Sequence, residues 1–344
     1  MGLYLITKVE LYAKIAIMQR ILLIKTSSLG DVIHNLPVVT DVRAHFPNVQ
    51  IDWIVEETFA DIPRMHPDVS QVMTVAMRRW RKQIFSKKTW SEISGFKNAL
   101  SQTTYDAVID TQGLLKSALI ARNANGVRHG YNSNSIREPL ASRFYDKTYA
   151  ISYQQHAVQR NRALAALSLN YAPPADAPDY GISAKHTEND APGNRMDISL
   201  QGSYIVGLHG TSRDSKLWPI AHWIDLGRQL AQQNFNLVLP WASEAEFNRA
   251  SEIVQQLQNA TVLPKLSIAE LAGIIANAQA AIGVDTGLSH LAAALDKPVV
   301  AIYTDTNPSL TGVMAGAHAQ AINLGNIGEI PFVADVLDSL GKIL

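Results

Sequence analysis

Short runs of β-branched and aliphatic residues alternate along the chain with stretches whose apolar residues recur every three or four positions. In the first half the runs are ILLIK (21–25), IDWIV (51–55), VMTVA (72–76) and DAVID (106–110). Helix-like stretches cover 31–45, 58–65, 90–102, 115–124 and 156–170. Ile33, Leu36, Val39 and Val42 share one helical face, whereas the uninterrupted apolar runs predict strands buried on both faces. Such alternation predicts βαβ units and a parallel sheet. Residues 172–201 break the pattern with prolines and small polar residues, which marks a linker. The alternation then restarts with runs at 204–210, 236–242, 261–265, 280–285 and 298–304, separated by helical patterns at 219–233, 243–258, 267–278 and 287–296. The organisation read from this is an N-terminal extension (1–17), an α/β domain (18–171), a linker (172–201) and a second α/β domain (202–344). Ligands are expected in a cleft between the carboxyl ends of the two sheets.

Composition narrows the function. The chain has 344 residues, with 30 Lys+Arg balancing 30 Asp+Glu and no cysteine. Zero net charge excludes a global field of the kind that binds nucleic acid. Lack of cysteine removes disulfides, thiolate metal sites and cysteine nucleophiles. Lys8, Glu10 and Lys14 interrupt the apolar N-terminal stretch, so no secretory signal is expected. No later run approaches the roughly 20 apolar residues of a membrane span. The expectation is a soluble or peripheral protein.

Four segments carry candidate chemistry. In KTSSLGDVIHNLP (25–37), Asp31 falls in the first turn of a helix. An acid there suits the positive end of the helix dipole, and equally suits a general base at the mouth of the cleft. The turn matches neither the dinucleotide glycine fingerprint nor the P-loop. In HGTSRDSKLWP (209–219), Thr211 and Ser212 offer hydroxyl donors and Lys216 a compact charge, a set that fits a diphosphate or an exposed polar loop. In GVDTGLSH (283–290), a strand runs through Asp285 and Thr286 into Gly287 at a helix start. That start exposes backbone N–H groups to an anion, with His290 on the first turn. Glu246 follows the 236–242 strand and could accept ribose hydroxyls or serve only as a surface acid. Finally, residues 69–91 hold Arg78, Arg79, Arg81, Lys82, Lys87 and Lys88, interleaved with Trp80, Phe85 and Trp90 and without any acid. Such a patch suits an anionic lipid surface. Nucleic acid is the rival, but no nucleic-acid-binding signature accompanies it. No Asp-x-Asp pair or other metal motif is present, so phosphate charge would fall to lysine, hydroxyls and helix dipoles.

Together, KTSSLGDVIHNLP, RRWRK (78–82), DTQGLLKSA (110–118), REPLAS (137–142), HGTSRDSKLWP and VDTGLSHLAAAL resemble glycosyltransferase family 9, the lipopolysaccharide heptosyltransferases. The likeness runs from about residue 18 to about 310. KTSSLGD combined with RRWRK points to the members that add the first heptose rather than the second. The resemblance implies a GT-B fold, two Rossmann-like parallel-sheet domains facing across a cleft, the first for the acceptor and the second for the nucleotide sugar. It implies inverting transfer of L-glycero-D-manno-heptose from ADP-heptose to a Kdo residue of Kdo2-lipid A, with no metal or other cofactor. The setting would be cytoplasmic, peripheral at the inner membrane and without nucleic acid. By motif, Asp31 would be the base and Lys216 would assist catalysis. Ser27, Thr211, Ser212, Lys216, Asp285, Thr286, Gly287 and His290 would hold the diphosphate, and Glu246 the ribose. Arg78, Arg81, Lys116 and Arg137 would meet the acceptor's anionic groups. A different acceptor within the family, or a non-catalytic nucleotide- or lipid A-binding module, are the competing readings.

Overall fold

A computed structural model describes residues 18–182 and 200–344. The 1–17 extension and most of the linker expected at 172–201 lie outside the described residues. The chain divides into two compact units. The first gathers the chain up to Ser27, Asn35–Gln155 and Gln159–Ala175. The second gathers Ser28–His34, His156–Val158 and Asp176–Leu344. Two short pieces of the N-terminal half therefore belong to the second unit.

The first unit is built on β1 (Arg20–Ile24), β2 (Gln50–Glu56), β3 (Gln71–Val75), β4 (Thr104–Asp110), β5 (Asn125–Tyr131) and β6 (Lys147–Tyr149). They form one parallel sheet in the order β3-β2-β1-β4-β5-β6. Ile21–Ile24 are wholly buried, as a central strand covered on both faces requires. The helices are α1 (Leu29–Ile33), which belongs to the second unit, then α2 (Leu36–His45), α3 (Asp61–Arg64), α4 (Met77–Lys82), α5 (Lys87–Gln102), α6 (Leu115–Ala121) and α7 (Ala157–Leu169). The single helix expected at 31–45 is thus two helices. Pro37 has no N–H to offer the Ile33 carbonyl, so the helix ends there and restarts.

The second unit repeats the plan. Strands β7 (Tyr204–Leu208), β8 (Asn236–Leu239), β9 (Ala260–Val262), β10 (Ala280–Val284), β11 (Val299–Tyr303) and β12 (Ala321–Gly325) make a second parallel sheet, ordered β12-β11-β10-β7-β8-β9. Around it lie α8 (Ile220–Gln232), α9 (Glu244–Val254), α10 (Ile268–Asn277), α11 (Gly287–Ala294) and α12 (Val333–Ile343). Trp218 and Trp223 are fully buried between sheet and helices, edge to face with ring centroids 5.3 Å apart. In both sheets the strand order reverses between the first and fourth strands of the unit. The crevice at the carboxyl ends of such a pair is where open α/β sheets bind ligands. Among the described residues, no helix is long and apolar enough to cross a membrane.

Candidate active site

Much of the chemistry read from the sequence falls at the two reversal points, whereas Glu246, the RRWRK run and Arg137 follow other strands. In the second unit the reversal lies at the turns after β7 and β10. The ammonium of Lys216 donates to Asp285 Oδ2 at 2.6 Å, and Thr211 Oγ donates to the Asp285 carbonyl at 2.8 Å. One turn is thereby tied to the other through a single acid. Ser212 is exposed in the same turn, and Ser215 bonds Asp305 (2.6 Å) while its carbonyl accepts from Thr304. Thr286 is the N-cap of α11 but makes no side-chain cap bond; its carbonyl accepts from the Ser289 N–H, which leaves the N–H groups of Gly287 and Leu288 without a cap from Thr286. Ser289 turns inward instead, donating to the Val284 carbonyl (2.8 Å).

Helix α1 sits against this cradle and is part of the same unit. A Cβ on Gly287 would come within 2.7 Å of Leu29 Cβ, and one on Gly30 within 3.0 Å of the His290 ring. Both glycines permit the close approach. Asp31 is half-buried. Its Oδ2 accepts from the Ser28 N–H (2.8 Å) and from Ser28 Oγ (2.9 Å), so the carboxylate is fixed by its own helix cap. The two alternatives left open by the sequence therefore describe one residue: the capping contact uses one oxygen of the candidate base.

His290 is buried, and its Nδ1 lies 3.0 Å from Nε2 of His34. Burial pushes the His290 imidazole down to about 4. Asp285, His156, Asp31 and Lys216 all lie near enough to act on its charge. His156 Nε2–H donates to the Gly312 carbonyl (2.9 Å), while its Nδ1 accepts from the Val158 N–H (3.2 Å). With the Ala157 N–H bonded to the Leu310 carbonyl, these contacts explain why residues 156–158 join the second unit.

Glu246 heads α9. Its Oε2 accepts from the N–H groups of Ala242 (2.7 Å) and Ser243 (3.3 Å), and Gly210 lies so close that a Cβ there would be 2.7 Å from the carboxyl carbon. Glycine at 210 is thus matched to this acid.

In the first unit, the reversal point lies between β1 and β4. Gln112 Oε1 accepts from the Thr26 and Ser27 N–H groups (2.9 and 3.0 Å), and the Lys116 ammonium donates to Ser27 Oγ (2.9 Å). The structure therefore joins Ser27, expected on the donor, to Lys116, expected on the acceptor. Buried Asp110 supports the turn by accepting from the Gln112 and Gly113 N–H groups and from the Tyr145 hydroxyl (2.8 Å). Arg137 is exposed after β5, and Glu138 accepts from the Leu115 N–H at the start of α6. The RRWRK run is α4. Arg78 lies over the Phe59 ring, Arg79 is neutralised by Glu57 and Glu92, and Arg81 and Lys82 are exposed. The cationic stretch is thus largely helical, with a tip at 83–86 between α4 and α5. Sequence reasoning missed His34, His156 and Gln112. His34 stands three residues after Asp31, one helical turn away, and that spacing was the available signal.

Two doubly wound parallel sheets, each with polar turns at its reversal point, are the arrangement of the GT-B glycosyltransferases. The chain belongs to glycosyltransferase family 9 (heptosyltransferase), whose model matches residues 93–334. It is 46% identical over 294 residues to lipopolysaccharide heptosyltransferase 1 of Pseudomonas aeruginosa, covering 85% of this chain and 81% of the relative. The Escherichia coli K12 enzyme of the same name is also 46% identical, over 85% of this chain and 90% of its own length. The E. coli heptosyltransferase WaaC solved with ADP superposes with a TM-score of 0.85 at 42% identity, covering 94% of this chain and 99% of WaaC.

Proposed function

We propose that the protein transfers L-glycero-D-manno-heptose from ADP-heptose to a Kdo residue of Kdo2-lipid A, with inversion at the anomeric carbon. The observation that carries this reading is the close packing of the helix that bears Asp31 on α11, Leu29 against Gly287 and Gly30 against His290, with Lys216 paired to Asp285 in the turn that leads into α11. Relatives at 46% identity are named for the first heptosyl transfer, and WaaC has been solved with both ADP and ADP-2-deoxy-2-fluoro heptose.

Asp31, steadied through Oδ2, takes the acceptor hydroxyl proton on its other oxygen as that hydroxyl attacks the anomeric carbon. General-base assistance of this kind contributes roughly 10²–10⁴-fold. Negative charge grows on the departing diphosphate. Lys216, the hydroxyls of Thr211 and Ser212, the first N–H groups of α11 and His290 receive it, a fixed set of donors that needs no rearrangement as the bond breaks. Glu246 accepts from the ribose. Ser27 with Lys116, and Arg78, Arg81 and Arg137, meet the acceptor's carboxylates and phosphates. This charge arrangement works without a metal. The exposed tip between α4 and α5 brings the protein to the cytoplasmic face of the inner membrane as a peripheral partner.

The test is an assay of the purified protein with ADP-heptose and two acceptors, one with Kdo exposed and one already bearing the first heptose. ADP release and transfer to the exposed Kdo alone, unchanged by chelator, are expected. Transfer only to the heptosylated acceptor would move the protein to the second step, and no ADP release would leave a binding module. A rate abolished by chelator would overturn the metal-free arrangement.

A further inference from the structure

His34 is almost fully buried, at 2% exposure, and its ring meets that of His290 edge to face with centroids 4.4 Å apart. The contact is specific, since Nε2 of His34 lies 3.0 Å from Nδ1 of His290. The opposite edge of the His290 ring, Cδ2 and Nε2, runs along Gly30, the residue before Asp31. His156 also packs edge-on against His34, with centroids 5.4 Å apart, but both its nitrogens are engaged by backbone groups. It supplies shape and shares no proton.

A neutral imidazole carries one N–H, and which nitrogen bears it is set by the partner at the other. Burial keeps His290 neutral near pH 7. If Nδ1 held the proton, Nε2, beside Gly30, would present a lone pair rather than a donor to a bound diphosphate. If Nδ1 accepts instead, Nε2–H becomes a donor to that anion. We propose that His34 is a positioning residue for His290: its Nε2–H donates to His290 Nδ1, which places the His290 proton on Nε2 and aims it at the leaving diphosphate. The inference rests on the donor-site reading above and adds a residue that makes no contact with the nucleotide.

Two variants separate this role from packing. His34→Gln can put an amide N–H near the position of the imidazole Nε2, whereas His34→Leu fills space without a donor. Nitrogen-15 spectra of the His290 ring, recorded with and without ADP, should show Nδ1 unprotonated and Nε2 protonated in the wild-type protein. His34→Leu should weaken ADP binding and lower kcat by about 10- to 100-fold, the size of one charge-assisted hydrogen bond, with Gln recovering most of the loss. Wild-type kinetics in the Leu variant, or a Gln variant as impaired as Leu at an unchanged thermal midpoint, would overturn the proposal. If the Leu protein fails to fold, the wild-type spectrum and the Gln variant still decide. A His290 proton found on Nδ1 in the ADP complex overturns the positioning role alone, whereas a wild-type protein that does not bind ADP overturns the donor site itself.

Discussion

Lys216 and Asp285 stand 2.6 Å apart across the turns that follow β7 and β10. The lysine is thus held in place before any anion arrives, and its partner is the acid of the Asp-Thr-Gly turn. Diphosphate binding would exchange or share that contact at little cost in lysine side-chain entropy. Lys216→Ala should weaken ADP binding by about 1.5–3 kcal/mol, the range for a hydrogen bond to a charged group. Titration calorimetry measures this directly, and unchanged affinity would place the diphosphate elsewhere.

Gly287 is a steric requirement. A methyl group there would press on Leu29 Cβ, an atom at the root of its side chain that cannot swing aside, so α1 would have to move. Gly287→Ala should cost about 1–3 kcal/mol of stability, as overpacking does. Turnover should fall further than that loss explains, because α1 carries Asp31. A variant with normal kcat would show that the seat of α1 does not matter to the reaction.

Stability should fall in mild acid. Burial pushes His129, His209 and His290 each down to about 4, so the folded protein keeps them neutral while the unfolded chain protonates them near 6.5. Folded-state values below the unfolded ones give stability that is complete above about pH 6.5 and lost as the pH falls toward 4. Each group adds a slope of about 1.4 kcal/mol per pH unit within that window. Urea unfolding at pH 7, 6 and 5 reads the slope, and a flat profile would mean that these rings are solvated.

The α4–α5 tip is where the proposed membrane contact can be tested. Phe85 is 99% exposed, with Ile84 and Trp90 also exposed, and Arg81, Lys82, Lys87 and Lys88 surround them. Basic residues near anionic lipid contribute about 1 kcal/mol each. Reversing both Lys87 and Lys88 to Glu should therefore lower binding to phosphatidylglycerol vesicles by tenfold or more. Phe85→Ser should lower it on the same vesicles at higher salt. Equal cosedimentation of all three proteins would remove the tip from membrane contact.

The buried strands were legible because their apolar runs reflect burial on both faces, as at β1, β7 and β10. Strand β5 was not, since NGVRHGY contains no such run. Its two glycines sit against the Tyr105 carbonyl and the Tyr145 ring, contacts that only the folded chain reveals. Short β6 and β12 and helix α12 were also passed over. The polar turns after β7 and β10 were visible as clusters of small, hydroxyl and cationic residues. Pairwise links were not, because Lys116 with Ser27 and His34 with His290 are separated by 89 and 256 positions. A single sequence carries no spacing rule for such pairs. Local spacing also misassigned the span 31–45, where Pro37 decides that α1 can stand apart and join the second unit.

The central claim is that the Asp31 carboxylate takes the acceptor proton. Asp31→Asn removes the basic oxygen while leaving an amide able to approach Ser28, so the helix cap is disturbed least. Parallel measurement of ADP-heptose affinity and of heptose transfer to Kdo-bearing lipid A gives the direct test. The account predicts affinity within a few-fold of wild type and a rate lowered by roughly 10²–10⁴-fold. Near-normal transfer by the Asn protein would contradict it.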